Sequence, residues 1–264
     1  MEHDKMVNRL PALFFKTLIV ISALTFTTSC DKTEVKKVMV ATSANMQFAI
    51  VELERAFEAL EGADIEIILG SSGKLTNQII AGAPYDLFLS ADSKFPETLV
   101  DKGLVSGRPK TYAFGKLVIW TSMDLNSMEG LTKIALGGIK IAIANPKTAP
   151  YGVAALENLK SNGDWEEIKD QVVFGESISQ VNQFLLSGAA KVGLTSMSSI
   201  KSEAFNDKGS WIDVPVNTYT PIAQQMVILN ARPEMYDQAK AFFDFVLSAR
   251  GQEILSAHGY EPTY

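Results

Sequence analysis

The sequence is poor in the residues that build disulfides, metal clusters and catalytic triads. Its 264 residues include one cysteine, Cys30, and two histidines, His3 and His258. A single cysteine forms no disulfide within the chain and supplies no cysteine-ligated metal cluster. With so few histidines, we expect neither a histidine-based metal site nor a catalytic triad.

A basic surface is missing as well. Lysine and arginine number 24 against 30 acidic residues, and the formal net charge is −6. Nucleic-acid binding requires positive groups that neutralise phosphates, so we do not expect nucleic acid as a partner. A small anion is compatible with this charge, because a buried site responds to local dipoles. Hydrophobic residues make up 47% of the chain, enough for one large or two modest cores.

The apolar run near the N-terminus, residues 18–26, is too short to span a bilayer as a helix. Lys5 and Arg9 precede it and small residues follow, a pattern typical of an export signal. We predict a signal peptide over residues 1–30 and a polar tether over residues 31–37.

The predicted signal peptide ends at Cys30 and resembles a bacterial lipoprotein signal, in which this cysteine becomes the lipidated N-terminus. Thr27 stands where such signals usually have a large aliphatic residue. The alternative is a plain secreted protein with an unmodified cysteine.

The most informative stretch is residues 70–83, GSSGKLTNQIIAGA, which follows an apolar run typical of a strand. Gly70 and Gly73 allow a tight turn, and Ser71 and Ser72 occupy the place of a helix N-cap. A helix that begins in this way directs backbone N–H groups and hydroxyls to one point. Such a point attracts an anion.

Residues 175–189 repeat this plan about a hundred residues later. A strand ending at Phe174 precedes a helix that begins at a serine, contains an Asn-Gln pair and ends at Gly-Ala. Either copy alone is also explained by ordinary turn chemistry. The pair predicts two similar lobes, each contributing one anion-facing helix start.

Further strand–turn–helix units at residues 38–60 and 139–160 predict an α/β fold with mostly parallel sheets flanked by helices. Two long apolar strands, at residues 112–120 and 220–229, predict crossovers between the lobes. We therefore expect two lobes joined by a two-strand hinge, with a cleft between them.

The predicted crossovers divide the mature chain. Lobe 1 is predicted to comprise residues 38–115 plus 222–264, and lobe 2 to comprise residues 116–221.

Six motifs in order along residues 36–264 together resemble the periplasmic molybdate-binding proteins of ABC transporters. They are ATSAN at 41–45, GSSG at 70–73, GAPYDLFLSAD at 82–92, GKLV at 115–118, NPKTAPYG at 145–152 and the strand at 221–228. The resemblance implies the two-lobed type II periplasmic-binding-protein fold.

In that family the oxyanion is held by hydroxyls and backbone N–H groups at helix starts, without a cationic side chain. By position, the resemblance implies as ligands Asn45 and the Ala44 backbone, with Ser43 as the alternative to Asn45, then Ser72 and the backbone N–H groups of Tyr151 and Ile178. Two positions depart from the family. Ala44 replaces a threonine of some members, and Ser196 stands near the tyrosine of another subgroup.

The resemblance implies an exported binding protein rather than an enzyme. It would capture molybdate or tungstate in the cleft and deliver the anion to the permease of an ABC importer. We expect a monomer without a cofactor, in the periplasm or at the outer face of the cytoplasmic membrane, with Cys30 as a possible lipid anchor. Both anions are tetrahedral dianions without a proton, and they therefore suit a site made of donors alone.

Other functions are open at this point. Sulfate or phosphate is the main alternative ligand, since donors do not reveal the size of a cavity. Amino-acid binders usually pair the substrate with an arginine, and none of the four predicted loops contains one. Ser71 and Lys74 match a Ser-x-x-Lys acyl-transfer motif, but its Ser-Asp-Asn and Lys-Thr-Gly companions are absent from the sequence.

Overall fold

The computed structural model describes residues 37–61, 64–124 and 130–263. The predicted signal peptide, Cys30 and residues 31–36 of the predicted tether lie outside these ranges. Within them, no helix has the length and apolar character that a membrane span requires.

The structure alternates strands and helices along the chain, as the sequence predicts. The strands of the described residues are β1 (Val38–Ser43), β2 (Ile65–Gly70), β3 (Leu87–Leu89), β4 (Val105–Gly115), β5 (Leu117–Thr121), β6 (Ile141–Ala144), β7 (Val172–Gly175), β8 (Val192–Ser196), β9 (Ser210–Asp213) and β10 (Ile222–Leu229). The helices are α1 (Ala49–Glu61), α2 (Ser72–Ile80), α3 (Lys94–Asp101), α4 (Leu131–Leu136), α5 (Pro150–Ser161), α6 (Trp165–Ile168), α7 (Ile178–Leu186), α8 (Met197–Ile200), α9 (Tyr236–Leu247) and α10 (Ala249–Ala257).

The described strands form two sheets with equivalent topologies. The first sheet has the order β2-β1-β3-β10-β4 and the second has the order β7-β6-β8-β5-β9. Three neighbouring strands of each sheet are parallel, while β10 and β5 are antiparallel to both of their neighbours. The two-lobed α/β fold is confirmed. Its sheets are mixed, because in each of them one strand runs against the other four.

The antiparallel strand of each sheet is the one that arrives from the other sheet. The predicted long strand at residues 112–120 is broken at Lys116, so that β4 belongs to the first sheet and β5 to the second. Residues 214–221 make the return connection, from β9 to β10. Two chain segments therefore join the lobes.

Each sheet has its own hydrophobic core. In the first lobe, Val40, Leu53 and Phe57 pack with the aromatic face of α9, and Phe57 meets Phe242 edge to face at 5.1 Å between ring centroids. In the second lobe, a separate cluster includes buried aliphatic residues of β6, α5 and α7. Burial of apolar surface is the main stabilising term in folding, and each lobe buries most of its apolar side chains around its own sheet.

Parallel strands determine where the helices begin. The carboxyl ends of β1 and β2 lie at one edge of the first sheet, and those of β6 and β7 lie at one edge of the second. A helical turn or helix follows each of these ends. Four helix starts are thereby directed to the crevice at the ends of the strands, where ligands bind in open α/β sheets.

Candidate anion-binding site

A small cavity lies where these helix starts meet. Its lining residues are Ser43, Ala44, Asn45, Ser71, Ser72, Ala91, Ala149, Pro150, Tyr151, Ser177 and Ile178. The structure thus brings together all six residues predicted as anion ligands. The cavity volume of about 10 Å³ leaves room for about one water-sized group, far below the roughly 300–1,000 Å³ typical of pockets for drug-sized ligands. The site suits a small inorganic ion better than an organic solute.

In the first loop, the side chains of Ser43 and Asn45 differ in whether they have hydrogen-bond partners within the protein. The Asn45 side-chain nitrogen donates to Gln224 Oε1 at 2.8 Å and to Tyr260 Oη at 3.0 Å. Both of its hydrogens are therefore used inside the protein. Ser43 is 2% exposed, and its hydroxyl has no hydrogen-bond partner within the described residues. The Ser43 hydroxyl and the backbone N–H groups of the turn at Ala44–Met46 are the donors this loop offers.

The second loop offers two hydroxyls at the start of α2. Ser71 has the extended backbone of an N-cap, yet its side chain makes no cap hydrogen bond and its buried hydroxyl has no partner among the described atoms. Ser72 Oγ accepts the N–H of Ala91 at 3.0 Å, which fixes the oxygen and leaves the hydroxyl hydrogen to donate. The sequence predicts that the hydroxyls of Ser71 and Ser72 point to one anion-attracting place, but it names only Ser72 as a ligand.

The third and fourth loops contribute backbone groups. Tyr151 is the second residue of α5, which begins with Pro150, and Ile178 is the first residue of α7. The first N–H groups of a helix have no acceptor within the helix. Ser177 precedes α7 in an extended conformation and its hydroxyl does not cap the helix. Both helix starts therefore present backbone donors to the cavity.

The electrostatics of the cavity come from dipoles rather than from charged side chains. No lysine, arginine, aspartate or glutamate is among the lining residues that the structure describes. The N-terminal end of an α-helix carries a partial positive charge of about half an elementary charge. Three α-helices and one helical turn begin at the cavity wall. The wall is therefore suited to an anion that accepts hydrogen bonds and offers none.

The cleft is closed in this structure. Among the described residues, the contacts that join its two sides include Gly73 N–H to Thr148 O at 2.9 Å, Ser198 Oγ to Asn45 O at 2.8 Å, Ser179 Oγ to Gln47 Oε1 at 2.8 Å, and the ion pair of Lys74 with Glu176 at 3.1 Å. These contacts hold the two sides of the cleft together.

A buried polar cluster lies behind the first loop and was not predicted. Tyr112 donates to Gln224 Oε1 at 2.9 Å, and Tyr260 donates to the Asn45 carbonyl oxygen at 2.8 Å. Burial raises the pKa of Tyr112, Tyr151 and Tyr260, so these phenols remain neutral. The cluster fixes the direction of Asn45 and connects the cavity with the hinge strands.

Lys74 of the predicted acyl-transfer motif and the buried Asp86 have partners that explain them structurally. Lys74, half exposed, pairs with Glu176 rather than with Ser71. Asp86 is buried, accepts the backbone N–H of Met39 at 2.7 Å and pairs with the guanidinium of Arg232. These contacts explain the ionisable groups structurally, and they do not support an acyl-transfer site.

Comparison with known proteins places the chain in a class. The family model described as bacterial extracellular solute-binding protein matches residues 38–261. The chain belongs to this family of bacterial extracellular solute-binding proteins.

Within this class the chain is similar to molybdate-binding proteins. It is 35% identical to the molybdate-binding protein ModA of Azotobacter vinelandii over 226 residues, 85% of this chain and 89% of that protein. Identity to ModA of Rhodobacter capsulatus is also 35%, over 85% of this chain and 88% of the relative. The solved structure of the Azotobacter vinelandii periplasmic molybdate-binding protein matches with a TM-score of 0.80 at 34% identity, covering 86% of this chain and 100% of that one. The resemblance inferred from the six motifs is confirmed.

Asp92 follows the cavity residue Ala91, and its burial should make the stability of the protein depend on pH. Its carboxylate accepts hydrogen bonds from the Phe95 N–H and the Ser90 hydroxyl. Burial nevertheless raises the pKa of Asp92 above its ordinary value, because these bonds only partly offset the loss of water.

We expect Asp92→Asn to become more stable relative to the wild type as the pH rises. The folded protein binds the Asp92 proton more tightly than the unfolded chain does. This carboxyl therefore favours folding most at low pH, and its contribution is lost as the pH rises through the raised pKa. Urea unfolding at about pH 4 and about pH 7 measures the difference. Asp101→Asn, at an exposed position in α3, is the control. A stability difference that does not change with pH would contradict the expectation.

Proposed function

We propose that this protein captures molybdate or tungstate outside the cytoplasm and delivers the anion to the permease of an ABC importer. The observation that carries the proposal is the closed cavity of uncharged donors, drawn from four loops and lacking a charged lining side chain in the described residues. The names of the similar proteins support the choice of ligand. The predicted export signal supports the location, and lipidation of Cys30 remains part of the proposal.

The proposed ligand set consists of the Ser43 and Ser72 hydroxyls, the backbone N–H groups at Ala44 and Asn45, and those of Tyr151 and Ile178. Ser71 joins this set, because its unpartnered hydroxyl lines the same cavity. A fully deprotonated tetrahedral dianion accepts hydrogen bonds at every oxygen. Hydrogen phosphate would also need an acceptor for its proton, and no carboxylate is among the described lining residues. Sulfate is the closer competitor.

Closure follows from the division of these donors between the lobes. We propose that residues 38–115 plus 222–264 form one lobe and residues 116–221 the other. Ser43 and Ser72 then face the anion from the first lobe, and Tyr151 and Ile178 from the second. An anion that bonds to both sides binds the closed form more tightly and shifts the population toward it. The permease would recognise this closed, monomeric form.

An oxyanion screen tests the proposed function. We expect molybdate and tungstate to raise the melting temperature, since a ligand that binds only the folded state stabilises it by about 2.7 kcal/mol at one hundred times its Kd. Sulfate, phosphate and chromate are measured at the same concentrations. A larger shift with sulfate would assign the site to that anion, and melting curves that respond to none of the five would refute oxyanion binding.

Two substitutions test the hydroxyl donors. Ser43→Ala and Ser72→Ala should each weaken molybdate binding by about 1–3 kcal/mol, the cost of losing one partner of a charged group. Isothermal titration calorimetry gives the dissociation constants. Ser256→Ala, an exposed serine in α10, should leave the constant unchanged. An unchanged constant for Ser43→Ala would remove this hydroxyl from the ligand set.

The Lys74–Glu176 ion pair bridges the cleft and should slow anion release. Exposed pairs contribute about 0.2–1 kcal/mol, so Lys74→Met should accelerate dissociation by up to about fivefold at low salt. The effect should shrink in about 1 M salt, where the Debye length is about 3 Å. Stopped-flow measurements on Lys74→Met, Glu176→Gln and the double variant isolate the pair. Lys240→Met, whose partner Asp244 lies on the same helix, is the control. If the effects of the two single substitutions on the dissociation rate simply add in the double variant, the ion pair itself does not slow anion release.

A further inference from the structure

Tyr151 reaches from the anion cavity to the hinge. Its backbone lies in the first turn of α5 at the cavity wall, and the residue is 2% exposed. Its side chain ends against Gly115, the last residue of β4 before the crossover at Lys116. A Cβ atom on Gly115 would overlap the Tyr151 hydroxyl and would lie 3.0 Å from its Cζ atom. Glycine is required here by the approach of a side chain from the other lobe.

Gln224 meets Tyr151 at the same point. The added Cβ of Gly115 would lie 2.8 Å from Gln224 Nε2. Gln224 is fully buried, and its Oε1 atom accepts hydrogen bonds from Asn45 and Tyr112. Its Nε2 atom and the Tyr151 hydroxyl have no hydrogen-bond partner within the described residues. Two polar groups from opposite sides of the cleft are thus buried beside Gly115 without partners in the protein.

Burial of these groups opposes the closed arrangement. A buried polar group without a partner raises the free energy of the state that contains it. Tyr151 belongs to α5 of the second sheet's lobe, whereas Gln224 and Gly115 belong to neighbouring strands of the first sheet. If the lobes move apart, the Tyr151 hydroxyl leaves Gly115 and Gln224, and water can reach it. The free-energy cost therefore falls on the closed form and not on the open form.

We propose that Tyr151 is a positioning residue whose buried hydroxyl opposes closure, so that the empty protein stays open until an anion binds both lobes. The inference rests on the proposed function, because the anion supplies the free energy that closes the cleft. It assigns Tyr151 two separate tasks. The backbone N–H favours the closed, loaded state, and the phenol oxygen favours the open, empty state.

Tyr151→Phe tests the proposal, because it removes the hydroxyl and keeps both the ring and the backbone N–H. We expect the Kd for molybdate to fall by at least about fivefold, the lower end of the range for one unpartnered buried group. Dissociation should slow accordingly. Tyr85→Phe is the matched control, since the Tyr85 hydroxyl donates to Gln78 within the first lobe at 3.1 Å. Unchanged or weaker binding by a folded Tyr151→Phe variant would overturn the proposal.

Gly115→Ala supplies a second, opposite test. Its methyl group would collide with the Tyr151 hydroxyl in the closed form, so molybdate binding should weaken. Adding Tyr151→Phe should restore part of the lost affinity, because the overlapping oxygen is gone. General damage to the fold would not be rescued in this way. Normal binding by Gly115→Ala, or no rescue in the double variant, would overturn the proposed contact.

Small-angle scattering without any anion separates this inference from the proposed function. Ligand-free Tyr151→Phe should be more compact than the ligand-free wild type, because its closed form is less costly. Equal radii of gyration would overturn the inference, even if molybdate binds the wild type. If no oxyanion binds the wild type, the proposed function fails, while a more compact variant would still show that the hydroxyl opposes closure.

Discussion

An anion lying between two lobes is held only if donors from both lobes reach it at once. Water solvates such a dianion well, so a protein must replace many hydrogen bonds together. The described lining of the cavity offers hydroxyls and helix starts as donors, and it contains no lysine or arginine. Neutral donors attract the anion without leaving a strong charge unpaired when the cleft is empty. The closed arrangement places donors from both lobes around one cavity.

The sheet topology places the hydrogen-bond donors at the cleft. In both lobes the parallel strands end on one edge, and helices or turns begin there. The strand that comes from the other lobe is antiparallel and lies between two strands of the opposite direction, where it is held on both sides by backbone hydrogen bonds. Each connection is therefore held by backbone hydrogen bonds on both sides in the lobe that it enters. The proposed closure would then be a rotation about the short segments between these strands, and it would bring the two sets of donors together.

The sequence predicts what depends on neighbouring residues and misses what depends on distant ones. The Gly-Ser start of α2 and the serine before α7 are local patterns, and the helices begin where those patterns predict. The direction of Asn45 depends on Gln224 and Tyr260, which lie 179 and 215 residues away along the chain. No local pattern carries that information. The length of the apolar strand at residues 112–120 predicts a crossover, and a glycine inside a strand is typical of a close approach. Nothing local in the sequence identifies Tyr151 as the neighbour of Gly115.

The affinity of such a site depends on the free energies of two sets of buried polar groups, one that favours the closed state with anion bound and one that opposes closure. Donors in the cavity, such as the Ser43 and Ser71 hydroxyls, lack partners among the described residues, and in the proposed function the anion would supply them. At the hinge, the Tyr151 hydroxyl and Gln224 Nε2 also have no partner among the described residues. Tyr151 lines the cavity, but Gly115 and Gln224, which its hydroxyl approaches, do not. Under this proposal, the anion would supply hydrogen-bond partners to the first set of groups and leave the second set without them. A binding protein that must both capture and release its ligand benefits from this imbalance, because the cavity can be selective without making the closed state too stable to open.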